Sequence, residues 1–278
     1  MLGSMRINKQ RSGFSITDLL IVIAVLGILI ALLLPAISAA REAARRNDCS
    51  VRLRQVALAT TMYGTMHKDQ IPVGIETATH FSGFVDLLPY LELNMLSEDY
   101  DRSKPADKNE VLRFGPAIFK CPSDNPEGTW KSPGGGTYGR SNYLMNFGSA
   151  ELKSDDGPFK LNSNSGFGAI SDGTVNTAFY SEIVSGGENK MDPNGAWGYG
   201  DAGTSAYTHK HLPNAGDKTV LGGGAKWAKA EATASSLHPG GVDVAFGDTH
   251  VSFVADNIDK KVWQAYGTRA GKEKVFAE

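Results

Sequence analysis

Apolar residues run almost unbroken over 14–34, where Asp18 is the single charge among 21 residues. At about 1.5 Å per residue a helix of that length covers ~31 Å, the thickness of a bilayer core. The run predicts a membrane-spanning helix. Beyond Pro35 the pattern changes: residues 36–67 contain no proline and only Gly64 among glycines. There Cys49, Leu53, Val56, Thr60, Tyr63 and His67 recur three or four apart, which predicts one further stretch of helix with a single buried stripe. Pro35 lacks a backbone donor and crowds the turn before it, so a bend or loosening is expected there.

Periodicity weakens after His67, and Pro72 closes the helical stretch. Residues 81–96 read as a short helical segment interrupted by Pro89, while 117–121, 141–145 and 177–184 read as strands. Residues 185–237, with Gly222-Gly223-Gly224, read as irregular. Val242, Val244 and Phe246 alternate, as do Val251 and Phe253, with Gly247-Asp248-Thr249 between them, which predicts a hairpin. Ile258, Val262 and Tyr266 then take helical spacing. No internal repeat is visible. The elements predict an α+β chain: a long N-terminal helix over 14–67, transmembrane over 14–34, packed on an antiparallel sheet in a loop-rich globular head over 68–278.

Composition narrows the function classes. The chain has 278 residues, 41% hydrophobic and 21% charged, which supports a folded core and only one membrane span. Its net charge of -2 conceals a partition. Residues 1–54 hold eight Lys/Arg against three Asp/Glu, and the remainder holds 20 against 27. An acidic head gives no reason to expect nucleic acid. Cys49 and Cys121 have no Cys-x-x-Cys or Cys/His spacing, so neither zinc nor any other metal site is expected from them. They form one bridge if the head is exported, or stay as two separate buried thiols. No nucleophile elbow, Walker loop or dinucleotide fingerprint occurs, and no enzyme activity or catalytic residue is expected.

The order basic leader, Gly13, Phe14, apolar helix and an acid at the fifth mature position resembles the class III signal of type IV pilins and pseudopilins. Gly27 and Pro35 fall where pilin helices commonly carry those residues. The resemblance implies that residues 1–13 are a leader, that a prepilin peptidase cuts between Gly13 and Phe14, and that Phe14 is N-methylated. It also implies an assembly role for Asp18, although the family normally has glutamate there. A secretory signal cut after Ser38-Ala39-Ala40, or an unprocessed single-span anchor, stays open as a reading of the same residues. Arg6, Lys9 and Arg11 on one side face five arginines over 41–54 on the other, so charge does not set the orientation.

The whole chain resembles the pilin-like family abundant in planctomycete bacteria, which ends in a motif of His, nine residues, then Asp-Gly. The matching segments are Pro35-Ala36 with residues 39–46, Leu88-Pro89-Tyr90-Leu91-Glu92, and Cys121-Pro122-Ser123-Asp124. They continue with Asp172-Gly173-Thr174, Asn176-Thr177, Glu182, His238 and Asp248, then Thr268-Arg269-Ala270-Gly271. Thr249 stands where the family has glycine, so the hairpin turn is expected to differ.

That resemblance implies a single-pass inner-membrane protein whose head is periplasmic or extracellular. Its role would be structural, in a type II secretion or surface filament assembly, with other pilin-like subunits and inner-membrane lipid as partners. Two ligand readings remain. Calcium, used by some pseudopilins, has candidate oxygen donors in Asp192, Asn194, Gly195 and Asp201. Carbohydrate has candidate stacking faces in Trp130, Trp197, Tyr199, Tyr207 and Trp227, which would make the head a surface-displayed binding module.

Overall fold

A computed structural model describes residues 16–272 except 125, 188, 190, 217, 218 and 223, and omits the side chain of Ala225. The chain forms two compact units that divide between Ala44 and Arg45. One helix, α1 (Ile16–Met66), contributes to both and is unbroken at Pro35. In the first unit every described residue up to Ala40 is exposed, and the helix is long and apolar enough to cross a membrane.

The second unit begins inside α1, so residues 45–66 belong to the same compact body as the head. Here the helix buries Cys49, Leu53, Val56, Ala57, Thr60 and Gly64. Gly64 is a close approach: a Cβ there would lie 2.6 Å from the Phe167 ring. The helix stops where Lys68 and Asp69 turn to positive φ, with Asp69 N–H bonded to the Gly64 carbonyl.

Eleven strands occur among the described residues. Three two-stranded ribbons pair β1 (Gln70–Ile71) with β7 (Ser165–Gly166), β2 (Ile75–Glu76) with β3 (Phe81–Ser82), and β4 (Thr129–Lys131) with β5 (Thr137–Gly139). The principal sheet contains β6 (Tyr143–Asn146), β8 (Ala178–Glu182), β9 (Ala206–Tyr207), β10 (Gly241–Phe246) and β11 (Val251–Ala255). Its order is β11-β10-β8-β6-β9, antiparallel except for the β6/β9 edge. Val244, Ser181 and Leu144 lie in register across its three central strands.

The second half of α1 is tied to this sheet by Thr60, whose hydroxyl lies 2.5 Å from that of Tyr180, and by Tyr143, which donates to the Cys49 carbonyl at 3.0 Å. Phe84, Phe119, Phe159 and Tyr180 fill the space around them. Antiparallel pairs on an aromatic core, in a chain that also has a long N-terminal apolar helix, make the fold α+β.

Four local expectations are corrected. Residues 117–121 are not a strand: Pro116 starts a 3-10 turn over Ala117–Phe119, closed by Phe119 N–H to the Pro116 carbonyl at 3.1 Å. Residues 81–96 divide into β3, a 3-10 helix over Gly83–Leu91 capped by Ser82, and α2 (Asn94–Glu98). The irregular stretch contains β9, because Tyr207 is swallowed by the core beside β6. The hairpin turn keeps a positive φ of 76° at Thr249 despite its branched side chain. The last helix, α3 (Lys260–Gly267), is capped by Asp259, whose carboxylate accepts from Lys261 and Val262 N–H.

Candidate functional site

Among the described residues, a buried polar cluster surrounds the two cysteines. Cys49 faces inward because it lies on the buried stripe of α1. Cys121 comes just after the 3-10 turn and is latched by Asn142, whose side-chain oxygen accepts Cys121 N–H at 2.8 Å and whose amide donates to the Ile183 carbonyl at 3.0 Å. The two sulfurs are joined as a disulfide across a sequence separation of 72. Asp124, in the same loop, accepts from Ser185 N–H at 2.7 Å and from Asn142. Burial raises its pKa, against the pull of those two donors.

Glu182 and His238 complete the cluster. Glu182 ends β8 and is 1% exposed, and one of its oxygens accepts Asp243 N–H from β10 at 2.9 Å. The other, Oε1, has no hydrogen-bond partner and lies 3.4 Å from His238 Nε2. The same imidazole nitrogen is 3.5 Å from Cys121 Sγ. Beside this group, burial and then the Glu182 carboxylate push the Asp243 carboxyl up to about 7, with Arg46 and His238 opposing. Arg46 stands 3.8 Å from Asp243 and 3.5 Å above the Phe253 ring, pinning α1 to both hairpin strands.

The residues picked from sequence are spread more widely. Gly13 and Phe14 lie outside the described residues. Asp18 is in the first turn of α1, in the first compact unit. His238 and Asp248 are not brought together. Asp248 instead sits in the hairpin turn, where its carboxylate accepts His250 N–H at 3.1 Å and lies 2.5 Å from the His250 ring.

The loop offered to calcium is organised by a side chain. Arg140 is wholly buried, and its guanidinium donates to the carbonyls of Gly187, Asn189, Asp192 and Asn194 at 2.7–3.0 Å. Asp201 Oδ1 accepts Ala202 and Gly222 N–H, and Asn194 Oδ1 accepts from Thr219. Main-chain oxygens there already face a fixed positive charge. The five aromatic residues offered to carbohydrate are also engaged: Trp130, Trp197, Tyr199, Tyr207 and Trp227 are all buried, and Trp130 meets Tyr199 edge to face at 5.1 Å. Their faces hold the loops to the core.

Sequence reasoning missed Glu182, Asp243 and Arg46 as members of one cluster. One signal was present: Asp243 interrupts the apolar strand Gly241–Phe246, all six residues of which are buried.

No curated protein and no solved structure matches the chain. A family described as protein of unknown function (DUF1559) matches residues 38–261, a span that takes in the second half of α1, the disulfide, Glu182, His238 and the hairpin. The chain belongs to that family.

Proposed function

We propose that the chain is a membrane-anchored pilin-like subunit with a structural or interaction role, held in the inner membrane by residues 14–34, with its head in the periplasm or at the cell surface. The observation that carries this reading is α1. Its membrane-length apolar half continues into a half that buries one stripe in the head and leaves Val51, Leu58, Met62 and Met66 exposed along another. Those positions recur seven and four apart, so they share one helix face. An exposed apolar face continuing a membrane helix suits packing against the equivalent helices of neighbouring subunits. Removal of residues 1–13 by a prepilin peptidase and N-methylation of Phe14 are part of the proposal, as is charge pairing of Asp18 with a neighbouring amine. We assign it no reaction.

The test is intact-mass analysis of the chain from native membranes, combined with a photo-crosslinker in place of Leu58. The expected result is a mature start at N-methylated Phe14 and subunit adducts that Asp18→Ala abolishes and Asp18→Glu preserves. A mature start at Arg41, or no adduct with another pilin-like chain, overturns the reading.

A further inference from the structure

Cys49, Cys121, Glu182 and His238 come from α1, the loop after the 3-10 turn, the end of β8 and the approach to β10, yet one donor atom of each lies within 4.8 Å of the others. All four residues are buried. We propose that in the dithiol state these residues form a binding site for one thiophilic divalent cation of the zinc class. The same point of the fold is then closed covalently when oxidised and by a metal when reduced.

Two edges of the required coordination figure are already in place. A tetrahedral centre with Zn–S about 2.3 Å, and Zn–N and Zn–O about 2.1 Å, sets S···N at about 3.6 Å and N···O at about 3.4 Å. His238 Nε2 stands 3.5 Å from Cys121 Sγ and 3.4 Å from Glu182 Oε1. Reduction frees the sulfurs to separate to the ~3.8 Å that a tetrahedral S···S edge needs.

Glu182 supplies the independent observation. A disulfide asks for no carboxylate beside it, and a buried carboxylate oxygen without a hydrogen bond is costly. Oε1 is such an oxygen, and it is turned toward the cluster because Asp243 N–H holds its twin. A ligand whose second atom is fixed by a main-chain donor is the arrangement that orients metal-binding side chains. Two sulfurs, an imidazole and a carboxylate suit zinc or cobalt better than calcium or magnesium.

The chemistry balances with a dithiol as reductant. Its thiolate attacks the Cys49–Cys121 bond, it leaves as a cyclic disulfide, and the protein gains two thiols. The cation displaces both thiol protons to solvent and binds the two thiolates, neutral His238 and ionised Glu182. Reoxidation by a small disulfide reverses the sequence and releases the cation.

The test uses the full-length chain in detergent, reduced with dithiothreitol, desalted without oxygen and titrated with Co2+ and then Zn2+. We expect one equivalent to bind, with the charge-transfer absorption of a tetrahedral cobalt thiolate that zinc abolishes, and no such band in the oxidised chain. His238→Gln and Glu182→Gln should each weaken binding at least about tenfold, while Asp248→Asn leaves it unchanged. Near-ultraviolet circular dichroism tracks folding, and a reduced chain that loosens should tighten again with zinc. A folded reduced chain without the cobalt band, a loosened one that zinc does not restore, or equal affinity in the folded His238→Gln variant overturns the proposal.

Discussion

Arg54 Nε donates to the main-chain carbonyl of Thr249 at 3.2 Å, so α1 grips the tip of the β10/β11 hairpin by its backbone and not by a side chain. The grip therefore tolerates substitution at residue 249. Thr249 adopts a φ of 76°, a region that costs an L-residue about 1–2 kcal/mol.

Thr249→Gly is expected to stabilise the head by about 0.5–1 kcal/mol, since the relieved strain exceeds the entropy that glycine adds to the unfolded chain. Urea unfolding reads this as a higher midpoint at constant slope. An unchanged or lower midpoint would show that the turn is strain-free.

His209 is expected to make the head acid-sensitive. Its ring is completely buried, with Nδ1 2.6 Å from the Trp263 carbonyl and Nε2 3.1 Å from the Tyr207 hydroxyl. A neutral imidazole donates at Nδ1 and accepts at Nε2, satisfying both. Burial lowers its pKa to about 3, only partly offset by the Trp263 carbonyl. Between pH 6.5 and 3 the unfolded chain binds the extra proton, so stability falls as pH falls through that window, by about 4–5 kcal/mol in the limit. His209→Gln should flatten the pH dependence of thermal unfolding below pH 6.5, whatever its effect at neutral pH. A profile as steep as that of the parent chain would refute the assignment.

Arg140 is the cation at the centre of the 187–194 loop. Arg140→Ala strips four buried or half-buried carbonyls of their shared donor and should cost about 3–5 kcal/mol, while Arg140→Lys keeps the charge without the fork and should cost less. Calorimetry with and without calcium adds a second readout. Restoration of the alanine variant to parental stability by calcium would return these carbonyls to the role of metal ligands.

The long helix and the hairpin were legible because their patterns are local. Apolar positions at helical spacing marked the buried stripe from Cys49 to Thr60, and alternation marked Val242, Val244 and Phe246. The 3-10 turn at Ala117–Phe119 was hidden because an apolar run of that length fits either element, and Pro116 set the backbone. β9 was hidden because a two-residue strand has no period. The cluster around the cysteines was illegible for another reason. Cys121 and His238 are 117 residues apart, and no spacing rule links them. Their meeting depends on the strand order that sets β8 between β6 and β10.

The disulfide also decides how the molecule carries a mechanical load. A pull on the C-terminal strands travels back along the chain to Cys121 and crosses directly into α1 at Cys49. The 3-10 helix Gly83–Leu91, α2 and the first three strands lie in the closed loop between the cysteines, outside the load path. Tension at the ends can strip those elements from their neighbours but cannot draw them out. The oxidised head can lengthen only by unravelling the segment C-terminal to Cys121, while a reduced one would add the whole intervening loop to its reach.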